Sequence, residues 1–301
     1  MLPDRLPEPL RQGLTRNLPP VWAALLLTPV LTLVPAVIIQ IVLVAPLLGD
    51  AELPLDLTAQ NLVLLSYLGV WLALWAWLRR YEGRPLASIG LTREAPLRQL
   101  FGGVMIAVGV LGLAVVGVAL VGEVGLEPTP SLLLPALLSL IGWSVQASAE
   151  EAVFRGWLLP VLSARRSPAF GLMLSSLLFA LLHGANLGFS PVAFVNIALV
   201  GLLSGLYVMQ QGSLWGVIGL HIAFNWLQGN LLGLPVSGAA FEASFFQTTV
   251  RGPALVTGGT FGLEGSLLTT LFLLVACGVV AWALRRGATS ETTTSGTEER
   301  L

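Results

Sequence analysis

The chain of 301 residues has no lysine, one cysteine (Cys277) and two histidines (His183 and His221), and only 10% of its residues are charged. Each shortage removes a class of function. Without lysine there is no Schiff-base chemistry and no catalytic ammonium. A single cysteine excludes an intrachain disulfide framework and any CxxC metal or redox pair. Cys277 lies in an apolar run and reads as an inert buried thiol. The net charge of −1, with every cation an arginine, argues against a nucleic-acid partner. Soluble domains carry about 25% charged and about 45–50% apolar residues. Here 55% of the residues are hydrophobic, and the few charges cluster between long uncharged stretches. That pattern belongs to membrane-spanning helices.

About eight apolar runs are each read as long enough to cross a hydrocarbon core of roughly 30 Å at 1.5 Å rise per residue. They cover residues 21–48, 58–78, 100–121, 131–162, 169–185, 191–209, 214–232 and 266–284. The fold class expected is therefore all-α: a polytopic membrane bundle of about eight transmembrane helices over residues 21–286. The first run is too long for the apolar region of a signal peptide and is expected to be retained. Arginine placement sets the orientation. Arg5, Arg11 and Arg16 precede the first span, and Arg79, Arg80, Arg84, Arg93 and Arg98 follow the second. Arg165 and Arg166 follow the fourth, and Arg285 and Arg286 follow the eighth. The opposite loops hold Asp50, Glu52, Asp56, Glu123 and Glu127, and no arginine before Arg251. Both termini are thus expected in the cytoplasm, as a segment 1–20 and a polar, disordered tail 287–301. The glycine-rich stretch 233–265, with Phe241, Phe245, Phe246 and Phe261, reads as an interfacial loop, with a re-entrant cap as the alternative. Multi-pass insertion in a prokaryotic cell membrane, among membrane lipids, is the expected location.

Ionisable groups inside a span cost about 2.5–3.5 kcal/mol each on the insertion scale, so they persist only when paired, hydrated or used. The sequence Glu150-Glu151-Ala152-Val153-Phe154-Arg155 places Glu151 and Arg155 one helical turn apart, acid first, which is the favourable order. Glu150 is rotated by about 100° and faces away without a cation on its own helix. A carboxylate so placed suits a general base; the plainer alternative is an ion pair with a spare acid that locks helices together. Phe179 and His183 share a face of the fifth span, and His221 and Asn225 share a face of the seventh. Either pair alone reads as interhelical hydrogen bonding. Depth adds to the case. Measured from Arg165 and Arg166, Glu150 lies roughly 22 Å up the fourth helix and His183 roughly 25 Å up the fifth. From Gly212, His221 lies roughly 13 Å deep and Asn225 roughly 20 Å deep. All four can converge on one hydrated pocket.

Taken in order, these motifs resemble EExxxR, FxxxH and HxxxN/B of the CPBP family, the CAAX proteases and bacteriocin-processing enzymes also called Abi proteins. The resemblance covers roughly residues 131–232, the expected catalytic core. It implies endoproteolysis at the cytoplasmic face or within the membrane, on a membrane-associated peptide or protein whose need for a prenyl group stays open. It implies that Glu150 activates water with the help of His183, and that His221 and Asn225 stabilise the oxyanion. Glu151 and Arg155 are then orienting partners, with Phe179 in support. The family is named for metalloproteases, yet HExxH is absent here. A catalytic zinc takes three protein ligands, which Glu150, His183 and His221 can supply by number. A metal-free, glutamate-activated water is the alternative. Two other classes stay open: a non-catalytic scaffold or bacteriocin-immunity protein, and an ion-coupled transporter, which would favour inverted repeats that the sequence lacks.

Overall fold

The computed structural model describes residues 6–12, 14, 17–49 and 54–298, and side chains as far as Arg286 apart from Gln12. Arg5, Arg16, Asp50 and Glu52, used above for orientation, lie outside the described residues. Eight principal helices follow one another: α1 Val21–Leu48, α2 Leu57–Glu82, α3 Pro96–Val121 and α4 Pro130–Arg165; α5 Pro168–Leu182; α6 Pro191–Gln211; α7 Trp215–Trp226, continued by a π-helical turn Leu227–Leu231; and α8 Leu267–Glu298. Two strands, β1 Glu123–Pro128 and β2 Phe246–Arg251, pair antiparallel beside the bundle.

The chain is an all-α integral membrane bundle. Among the described residues, six helices are long and apolar enough to cross a bilayer: α1, α2, α3, α4, α6 and the Leu267–Arg286 part of α8. Of the eight expected runs, α5 and α7, the two that carry His183 and His221, are the short ones. α5 has 15 residues, and the α-helical part of α7 has 12, where a spanning helix needs about 20. They can be short because other helices pack around them: Leu172, Ser176 and Phe179 of α5 and most of α7 are buried in protein. The outward faces of α1, α3 and α8 instead expose Leu26, Ile41, Leu113, Leu120, Leu274 and Val279, as lipid-facing surfaces do.

Helix starts follow local chemistry. Ser167 and Ser190 each precede a proline, and their Oγ atoms accept from the amides of Phe170 and Ala193 at 3.2 Å. This Ser-Pro arrangement caps one orphan amide and fills the first helical position with the residue that lacks one. α7 is held close to α3 by glycine. A Cβ at Gly219 would stand 2.2 Å from the carbonyl oxygen of Leu100, so only a bare backbone permits this approach. That contact fixes α7 two residues before His221.

The stretch 233–265 is corrected from interfacial loop to cap. Leu55 and Phe241 form an isolated β-bridge, with Leu55 N donating to Ala240 O at 3.0 Å and Glu242 N to Leu55 O at 2.9 Å. Phe241 packs edge-on against Trp143 of α4, with ring centres 5.4 Å apart. Those long-range partners draw the loop down onto the bundle.

Candidate active site

The fourth helix reaches its last acidic residue as ordinary α-helix and then widens. Ala152–Leu158 is π-helical, and α7 makes the same change after Trp226. Such bulges recur where a helix turns side chains into a functional site. In α4 the change comes directly after Glu150 and Glu151; in α7 it comes one residue after Asn225.

Glu151 is fully buried and occupied on one oxygen. Its Oε1 accepts from Arg155 Nη1 at 3.2 Å and from His221 Nδ1 at 2.8 Å. A carboxylate of this kind only accepts, so Nδ1 of His221 carries its proton toward Glu151 and Nε2 is turned to the other side. There it lies 3.8 Å from Oε2 of Glu150. That separation exceeds a hydrogen bond. Glu150 is buried, and its Oε2 meets no protein donor. Tyr67 of α2 and Gln146 of α4 line the same cavity beside Glu150.

His183 closes α5 at its C-terminal end rather than lying inside a longer helix, because the chain turns at Gly184. Its Nδ1 is 2.8 Å from the carbonyl oxygen of Phe179. A carbonyl only accepts, so this nitrogen holds the proton and the Nε2 lone pair is left to accept. Phe179 is the hub of the cluster. Its ring centre is 4.7 Å from that of His183 and 6.2 Å from that of His221, and the Arg155 guanidinium sits 4.4 Å over its face. The cation–π contact helps a buried arginine stay where Glu151 needs it. Asn225, one turn beyond His221, donates from Nδ2 to Gln146 Oε1 at 3.4 Å.

Glu150, His183, His221 and Asn225 line one cavity of about 390 Å³. Four expected site residues from three helices thus share a single space. Glu151 and Arg155 stand behind its wall, and Phe179 forms part of it. Other lining residues were not foreseen. Gln146 lies one turn before Glu150 on the same face, a spacing that could have flagged it. Tyr67 offers a weaker sign, a hydroxyl in an apolar span. Glu264 of the cap gave none. It accepts from Ser237 Oγ at 2.8 Å and Gln228 Nε2 at 3.0 Å, and its backbone carbonyl accepts from Asn196 Nδ2 at 2.7 Å. Burial pushes its carboxyl above the usual carboxylate range, against the opposing pull of the Ser237 donors.

The donor set does not fit a resident catalytic metal. Among the described residues no three His, Cys, Asp or Glu side chains are grouped closely enough to hold an ion. Glu150 and His221 approach one another, and no third such side chain is grouped with them among the described residues. No chemical step is therefore drawn through a metal.

Comparison with known proteins matches part of the chain to one family. No curated protein is matched. Residues 132–227, from the first turns of α4 to the end of α7, match the family described as type II CAAX prenyl endopeptidase, Rce1-like. The matched segment holds all three motifs, and with them every residue expected at the site, which is consistent with a CPBP-family protease.

Proposed function

We propose that the chain is an intramembrane endopeptidase that hydrolyses a peptide bond in a membrane-anchored or lipidated, CAAX-like substrate, using a water activated by Glu150. The observation that carries this reading is that Glu150, His183, His221 and Asn225, brought by three helices, line one shared cavity. A water bound at the Glu150 carboxylate in that cavity gives up a proton to Glu150 as its oxygen attacks the carbonyl carbon. His183, with Nε2 as acceptor, helps orient the same water. The oxyanion that forms is met by the Asn225 amide, and by His221 when Nε2 carries a proton. Glu150 then returns its proton to the departing amine nitrogen, so one water and one peptide become an acid and an amine. Glu151 and Arg155 act through His221, by fixing which ring nitrogen faces the cavity.

The carboxylate supplies the base, the water supplies the nucleophile, and the apolar remainder of the cavity, including Val63, Ile197, Val200 and Phe224, suits an apolar substrate segment. The test is hydrolysis of fluorogenic peptides, plain and prenylated, by purified protein. Wild type is expected to cleave, and Glu150→Ala, His183→Ala and His221→Ala are each expected to lose cleavage while eluting as folded protein. Full activity in any one variant would remove that residue from the mechanism. No cleavage by wild type across the set would leave a non-catalytic scaffold.

A further inference from the structure

The cavity and the arginines lie at opposite ends of the bundle. Helix direction decides this. α2 and α4 run toward Arg79–Arg80 and Arg165–Arg166, and the cavity takes its residues from their earlier parts: Gln60 and Tyr67 on α2, Gln146 and Glu150 on α4. α5 runs away from Arg166 and contributes only Phe179 and His183 at its far end. α6 returns and contributes Ile197 and Val200 from its first half. The connecting segments that reach the cavity are Leu55, Asn186–Leu187, the cap residues Val236–Ala239 and Phe241, and Glu264. None of them is an arginine-rich loop.

The arginine side is sealed as well. Every residue of α4 from Ala152 to Ser163 is buried, so no path follows that helix down from Glu150. The short segment 86–92 plugs the start of α7. Leu214 N donates to Gly90 O at 2.9 Å, Trp215 Nε1 to Thr92 O at 2.7 Å, and Ile89 and Leu214 are both fully buried. Arginine-rich short loops mark the cytoplasmic face.

We infer that the cavity is reached from the non-cytoplasmic face, and that its substrate is a peptide segment of a membrane-anchored protein presented on that face rather than a cytoplasmic C-terminus. This rests on the peptidase reading for the reaction, and on the arginine pattern and the packed floor for the side. The outer loops differ from the inner ones in a further way that fits entry there. Leu187, at the cavity, is largely exposed, whereas Ile89 and Leu214 on the arginine side are fully buried.

Two measurements test it. In a Cys277→Ala background, Leu187→Cys is expected to react with a membrane-impermeant maleimide on intact cells, whereas Ala87→Cys on the arginine side reacts only after permeabilisation. In sealed vesicles given an impermeant fluorogenic peptide, right-side-out preparations are expected to hydrolyse it at least tenfold faster than inside-out ones, and detergent is expected to abolish the difference. The inference is overturned if Leu187→Cys labels only from the cytoplasmic side, or if inside-out vesicles are the faster ones. If neither preparation cleaves even in detergent, the peptidase reading fails, and the labelling pattern still decides which face the cavity meets.

Discussion

Two buried clusters in this bundle pair arginine with glutamate, and they are built to opposite ends. On the arginine side, both oxygens of Glu82 are engaged. Oε1 accepts from Trp77 and Trp157 at 2.8 and 2.6 Å, and Oε2 accepts from Arg84 at 2.6 Å. Glu82 and Arg84 are buried, and neither lines the cavity. At the centre, Glu151 is held by Arg155 and His221, but the neighbouring Glu150 keeps an oxygen that no protein donor reaches, at a cavity wall. A buried polar atom without a partner costs about 1–3 kcal/mol, and more when charged. Unmatched buried atoms occur in both clusters, at Arg84 Nη2 and Glu151 Oε2 as well as at Glu150 Oε2, and what sets Glu150 apart is its place in the cavity lining. Charge burial alone does not mark a site; incomplete satisfaction beside a cavity does.

The comparison is broken most directly at Glu150. Glu150→Gln is expected to reduce kcat by about 10²–10⁴-fold, the usual contribution of a general base, while the melting temperature stays level or rises. Parallel kinetics and thermal melts check both halves; a variant that melts far lower would move Glu150 into the structural class. The opposite outcome is expected for Arg84→Met. It strands Glu82 without its cation, so stability is expected to fall by about 3–5 kcal/mol, with kcat of the folded fraction unchanged. Denaturant titration in detergent reads this, and an unchanged midpoint would show that the sealed cluster is not what holds segment 78–92. Asn225→Ala removes a donor to the oxyanion and is expected to lower kcat by about 10²–10³-fold with KM little moved. A rise in KM alone would make Asn225 a binding residue. The smallest effect is expected for Phe179→Leu, which takes away a cation–π contact worth about 0.5–2 kcal/mol. A fall in kcat of a few-fold to about thirty-fold is expected, and a loss as large as that of Glu150→Gln would mean that the ring does more than hold Arg155 and the imidazoles.

Much of this was legible before any coordinates. Apolar runs as long as α1 and α3 have no other stable home than a membrane, and arginine spacing gives their direction. The periodicity of a helix brought Glu151 to Arg155 and Phe179 to His183, since both are separations of one turn. What the sequence could not display are relations between distant segments. His221 bonding Glu151 joins α7 to α4 across 70 positions. Glu264 and Phe241 reach the cavity from a loop whose composition reads as interfacial, and their partners Gln228, Ser237, Leu55 and Trp143 share no local pattern with them. The π-helical turns were hidden for a related reason: tertiary packing imposes them, and no residue in Ala152–Leu158 announces the change. The end of α5 was close to legible: the run expected to close at residue 185 closes at Leu182, where Gly184, Asn186 and Gly188 follow as turn residues.

Glu150 and His221 are held to act on one water. A double-mutant cycle with Glu150→Gln and His221→Ala, read as kcat/KM on a cleaved peptide, tests that directly. Groups that serve a single step are strongly non-additive. The double variant is expected to be no slower than the slower single variant. Losses that multiply would show two groups working independently, and the shared water would have to be given up.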